Sequence, residues 1–163
     1  MKVAVILGTR PEIIKLSPII KQLNKKSTSV IFTGQHYDHN MSIKFIDQLG
    51  LNKPNYSMKI SKTNPELQIS EIIKKLSKIF EVEKPENVII QGDTNTVLAA
   101  GIASLKCNIS ISHIESGLRS NDWRMPEEHN RIIVDNLSDY LFAPTQITKQ
   151  NLVSEKVHGK IFV

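Results

Sequence analysis

With 163 residues, 40% of them hydrophobic and 23% charged, the chain has the size and balance of one soluble globular domain with a proper core. The net charge of +5 admits an anionic partner, yet lysines such as Lys74, Lys75 and Lys78 are spread along helical faces. No basic cluster interleaves with aromatics, so nucleic acid is not the expected partner. The single Cys107 excludes an intramolecular disulfide and lacks zinc-ligand spacing, and no apolar run approaches the ~20 residues of a membrane helix, so a soluble, cytoplasmic protein is expected.

In chain order, continuous β-branched runs at Val3–Leu7, Val30–Phe32, Val88–Ile90, Ile109–Ile114 and Tyr140–Phe142 read as buried strands, and a last one begins at Lys160–Val163. Helical patterns separate them. The first helix starts at Pro11 and carries Ile13, Ile14, Leu16, Ile20 and Leu23. Pro18 inside it should bend it or leave one carbonyl unpaired. A helix near Met41–Leu49 follows. Then Asn64-Pro65-Glu66 opens a helix whose stripe is Ile69, Ile72, Ile73, Leu76 and Phe80, closed by Lys84-Pro85. Further helices are expected at Thr94–Lys106, Glu127–Leu137 and Ile147–Ser154. This alternation means a parallel sheet covered on both faces, with right-handed crossovers. A strand that starts just before the chain stops suggests a piece of something longer.

The chemistry gathers where strands end. Gly8-Thr9-Arg10-Pro11-Glu12 marks the first strand-to-helix turn, where a helix N-terminus offers free N–H groups and a positive dipole end. Arg10 and Lys15 add charge there, although the same residues also read as a plain helix-start turn. Gln91-Gly92-Asp93-Thr94 ends another apolar run, and Asp93 or Thr94 could serve simply as the helix cap. Glu115 follows directly on Ile114, and a carboxylate placed there must find partners. His113 reads equally as a core histidine. Glu127 and Glu128 sit in a first helical turn, where acids suit the dipole, and Glu127 with Arg131 has the spacing of an ordinary helical ion pair.

Together these residues place carboxylates and cations in one cleft, as proton removal beside an anionic leaving group requires. Neither GxGxxG nor a Walker A loop is present, so no NAD is expected. His36 and His39 lack a third ligand, so no metal is expected either.

These motifs resemble the non-hydrolysing UDP-N-acetylglucosamine 2-epimerases. The matching pieces are Gly8-Thr9-Arg10-Pro11-Glu12 with Lys15, Thr33-Gly34-Gln35-His36, Gly92-Asp93-Thr94, His113 through Arg119, and Pro126-Glu127-Glu128 through Asn130-Arg131. They occur in order and cover nearly the whole chain. The resemblance implies an α/β fold, a three-layer αβα Rossmann-like parallel sheet over residues 1–163. That domain would be the amino-terminal half of a GT-B type two-domain enzyme with UDP-sugar between the halves. It further implies a homodimer in full-length form and little activity from this half alone.

The implied reaction inverts C2 of UDP-GlcNAc to give UDP-ManNAc, through elimination and re-addition of UDP, and supplies precursors of cell-surface polysaccharides. By motif, Asp93, Glu115, Glu127, Arg10 and Lys15 are the catalytic set, and Gln35, His36, His113, Arg119 and Arg131 bind substrate or effector. Gln35 and His36 match a segment that contacts a second, activating UDP-GlcNAc in bacterial members. A 2-epimerase of another UDP-HexNAc, a hydrolysing relative, a GT-B glycosyltransferase and a non-catalytic nucleotide-sugar-binding domain are the alternatives.

Overall fold

A computed structural model describes residues 1–34, 45–61 and 64–163. Its elements, in chain order, are β1 (Val3–Leu7), α1 (Arg10–Gln22), β2 (Thr28–Phe32), β3 (Tyr56–Ser57), α2 (Pro65–Glu83), β4 (Asn87–Gln91), α3 (Asn95–Lys106), β5 (Ser110–Ile114), α4 (Pro126–Leu137), β6 (Tyr140–Phe142), α5 (Gln146–Ser154) and β7 (Lys160–Phe162). The expected helix at Met41–Leu49 lies partly outside the described residues, and 45–48 are helical.

The seven strands form one sheet in the order β3-β2-β1-β4-β5-β6-β7, and every pairing is parallel. The expected three-layer α/β architecture is therefore present. Strand order reverses between β1 and β4, and in such sheets the crevice beyond the strand ends at that point is where ligands bind.

Each sheet face has its own core, because alternate strand residues point to opposite sides. Ala4, Ile6, Ile31, Val88, Ile90 and Ile111 pack with Ile72, Leu76 and Phe80 of α2, Val97, Ala100 and Ala103 of α3 and Val134 of α4. On the other side Val3, Val5, Leu7 and Ile89 pack with Ile13 and Leu16 of α1 and with Ile46. Fully burying a side chain of this size is worth ~1.5–3 kcal/mol, so both layers hold the strand ends firmly.

Three local features go beyond what the sequence showed. α1 runs through Pro18 without an orphaned carbonyl, because the Ser17 hydroxyl donates to Ile14 O (2.9 Å), the acceptor that a residue-18 N–H would have used. The edge strand β3 gave no sequence signal; two residues are too few to show a period. The helix-cap ambiguity at Asp93-Thr94 falls to Thr94, whose hydroxyl oxygen accepts from Val97 N, which leaves the Asp93 side chain free for other partners.

Candidate active site

The turns after β1, β4 and β5 converge on a cavity of about 580 Å³ at the switch point, in the range of small-ligand sites. Gly8 to Glu12 and Lys15 form one wall, Gln91 to Thr94 the floor, and Glu115, Leu118 and Arg131 the opposite wall. Of the expected site residues, Arg10, Lys15, Asp93, Glu115 and Arg131 thus meet around one volume. Gln35 and His36 lie outside the described residues.

Glu115 occupies the sharp turn beyond β5 with φ +69°, a left-handed conformation that costs a residue bearing a Cβ about 1–3 kcal/mol. The strain is held by the Glu115 and Ser116 N–H groups, which both donate to Phe142 O at 3.1 Å. The turn aims the carboxylate at α1, where Lys15 Nζ donates to both oxygens (2.8 and 2.7 Å), and Gln91 Nε2 donates to Oε2 from the floor. Opposite it, Asp93 forms an ion pair with Arg131 (2.5 Å). Asp93 and Glu115 therefore each have one cation beside them and keep part of their surface open, each side chain being about a quarter exposed.

The helix-start turn departs from expectation. Two of its N–H groups are taken internally, because the buried Glu12 carboxylate accepts from Gly8 N and from Thr9 N (2.9 Å). Its other oxygen accepts from the Thr94 hydroxyl (2.6 Å), which ties the β1 turn to the β4 turn. Burial pushes the Glu12 carboxyl above its ordinary range, against the pull of the Thr94, Gly8 and Thr9 donors. An internal acid thus occupies the donors of this turn.

The Pro126-Glu127-Glu128 segment also resolves unexpectedly. Glu127 is exposed on the first turn of α4 and is not among the residues lining the cavity. Its ion pair with Arg131 does not form; Arg131 bonds Glu128 (2.9 Å) and Asp93 instead. Glu128 is buried and accepts from Ser120 N and Asn121 N, both at 2.9 Å, which fixes the loop after β5. Burial alone would raise its carboxyl, but those N–H groups and Arg131 outweigh burial and hold its pKa at about 2. Asn130 donates to Asp93 O (2.8 Å) and secures the floor.

His113 and Arg119, expected at the ligand, lie in the protein interior. His113 is almost fully buried, with Nδ1 at 2.8 Å from Asp135 Oδ1 and Nε2 at 2.8 Å from Gly92 O. Arg119 reaches Glu155 through Nε (2.7 Å) and Asp135 Oδ2 through Nη2 (2.8 Å), and its side chain is 5% exposed. Asp135 also accepts from Gly117 N (3.1 Å). Gly117 itself is required: its φ is +79°, and a Cβ there would collide with Thr148 O. With both ring nitrogens and the guanidinium committed to protein oxygens, His113 and Arg119 support the turn and do not line the cavity. Glu12, Gln91, Glu128 and Asp135 are the residues that sequence reasoning missed. Among the described residues no group of three or more potential metal ligands occurs, and no helix is long and apolar enough to cross a membrane.

Residues 20–163 match the model of the UDP-N-acetylglucosamine 2-epimerase family. The chain belongs to that family. It is 48% identical over 166 residues to the UDP-N-acetylglucosamine 2-epimerase of Methanocaldococcus jannaschii, covering 100% of this chain and 45% of that protein. A crystal structure of the Methanocaldococcus jannaschii enzyme in complex with UDP-GlcNAc and UDP superposes with a TM-score of 0.95 at 47% identity, over 100% of this chain and 46% of that one. A UDP-2,3-diacetamido-2,3-dideoxy-D-glucuronate 2-epimerase from Pseudomonas aeruginosa is 41% identical over 163 residues, 98% of this chain and 46% of that protein. The chain spans about half the length of the curated relatives it matches.

Proposed function

We propose that this chain is the amino-terminal, acid/base half of a two-domain GT-B type UDP-GlcNAc 2-epimerase acting in the cytoplasm, and that a second domain completes the nucleotide site. The observation that carries the proposal is the convergence of Asp93 and Glu115 with Lys15, Arg10 and Arg131 around one cavity at the sheet's switch point. The Methanocaldococcus jannaschii relative, which binds UDP-GlcNAc and UDP, supports the choice of substrate.

The C2 hydrogen of a 2-acetamido sugar has no carbonyl beside its carbon to acidify it, so departure of the nucleotide must carry the barrier. One carboxylate takes the C2 proton, the C–H electron pair forms the C1–C2 double bond, and UDP leaves with the C1–O pair. The product is a 2-acetamidoglucal. An acid then returns a proton to the opposite face of C2 while the UDP oxygen re-forms the bond to C1. Asp93 and Glu115 are the acid/base pair, and Lys15 and Arg10 stabilise the departing diphosphate, neither step calling on a metal or NAD. Glu127 enters on resemblance alone; wild-type turnover in Glu127→Gln removes it from the set. An activating second UDP-GlcNAc near Gln35 and His36, and a homodimer, belong to the same proposal.

The test is to incubate the natural protein containing this chain with UDP-GlcNAc in D₂O. UDP-ManNAc carrying one deuterium at C2 is the expected product. If another UDP-HexNAc is epimerised and UDP-GlcNAc is not, the substrate is wrong and the reaction stands, and the Pseudomonas aeruginosa relative makes that the alternative to check. Transfer of the sugar to an acceptor would replace the reaction altogether.

A further inference from the structure

Gln91 is the last residue of β4, pairs in register with Ile114, and is 3% exposed at the floor of the cavity. Its Nε2 donates to Glu115 Oε2, and its Oε1 is buried with no hydrogen-bond partner among the described residues. A buried amide oxygen left idle is uncommon, because side-chain polar atoms in protein interiors are nearly always paired. The idle atom lies on the same amide group as the nitrogen that holds Glu115.

We propose that Gln91 is the positioning residue for Glu115, keeping its carboxyl aimed at the sugar in both protonation states by turning its amide end for end. This rests on the epimerase reading, in which Glu115 gains or loses a proton at each half-reaction. A carboxylate needs a donor, and Gln91 Nε2 supplies one. A carboxylic acid needs an acceptor for its O–H, and Oε1 becomes that acceptor when the amide rotates.

Lys15 cannot do this. It is a donor only, its side chain is about half exposed, and an entering diphosphate competes for it. Gln91 is neutral and buried, so an anionic ligand does not draw it away. The titratable and charged groups around Glu115 are Lys15, Arg10 and the buried Glu12 from α1, Asp93 from the β4 turn and Arg131 from α4, all of which line the same cavity.

The experiment compares Gln91→Met, which keeps the size and removes both hydrogen-bonding ends, with Gln91→Glu, which keeps the shape and adds a like charge. Both are made in the natural protein containing this chain. For Gln91→Met, kcat should fall ~10–100-fold while KM for UDP-GlcNAc and Kd for UDP stay within about threefold, since the loss is one of aim and not of nucleotide binding. For Gln91→Glu, the pH limb that belongs to Glu115 should rise by about one unit or more, as two carboxylates in contact resist sharing negative charge. Wild-type kcat and an unchanged pH profile in both variants would overturn the proposal. An equal loss of kcat and UDP affinity with a lowered Tm would overturn it as well, by showing a purely structural role. If the wild-type protein epimerises no UDP-sugar, the functional reading fails separately. A ¹³C titration of the Glu115 carboxyl, assigned with Glu115→Gln, then decides the Gln91 contact: a midpoint moved by about half a unit or more in Gln91→Met supports it, and an unmoved one refutes it.

Discussion

Two sets of carboxylates gather around the same strand-end turns, and they are built for opposite ends. Glu12, Glu128 and Asp135 are almost fully buried, and each accepts three or more hydrogen bonds or ion-pair contacts from the protein. Asp93 and Glu115 are part-exposed, and each leans on a single cation, with Gln91 as one further donor to Glu115. An acid whose lone pairs are already filled from several chain segments fixes loops. An acid with open surface and one displaceable cation can exchange a proton. Local saturation therefore separates support from chemistry where residue type does not.

The sharpest way to break this contrast is to remove one acid from each set. Asp93→Asn or Glu115→Gln in the natural protein should lower turnover by ~10²–10⁴-fold, the usual contribution of a general acid or base, with UDP affinity within a few-fold. Wild-type rates in either variant would take that residue out of the acid/base pair. Asp135→Ala should instead act on folding. It strands His113 and Arg119 in the interior, and chemical denaturation should register a loss of about 3–5 kcal/mol.

Glu128 gives a smaller effect with a defined pH window. Its folded pKa of about 2 lies below the ordinary 4.5, so its stabilisation is complete above pH 4.5 and is lost as pH falls through about 2. The shift is worth roughly 3 kcal/mol near neutrality. Stability curves of wild type and Glu128→Gln should therefore converge on acidification. Glu12 works with the opposite sign: burial raises its carboxyl, so its contribution is present below its ordinary pKa and fades as pH rises through the raised value. The smallest effect belongs to the exposed Glu127. Glu127→Gln should change unfolding stability by less than about 0.5 kcal/mol, and a larger loss would show a structural role that its exposure does not suggest.

Much of this architecture was legible beforehand because its signals are local. Continuous apolar runs marked β1, β4 and β5, and Asn64-Pro65 with Lys84-Pro85 bracketed α2 at the observed boundaries. The site was legible only in part. Glu127 and Glu128 are neighbours in sequence but point about 100° apart on a helix, so which one turns inward depends on how α4 docks. His113 and Arg119 carried the right chemistry for a ligand, but their side chains run into the interior toward Asp135, a residue with no motif of its own. Gln91 looked like the polar end of a strand, and its contact with Glu115 spans 24 positions.

The sequence by itself determined the class of the fold and the turns where polar groups gather, since hydrophobic period and Gly/Pro punctuation act over a few residues. Tertiary structure alone decided which acids are sealed and which remain open. Burial and hydrogen-bond partners are set by segments distant in the chain, such as Glu12 with Thr94 or Glu115 with Lys15, and no local pattern encodes where such partners meet.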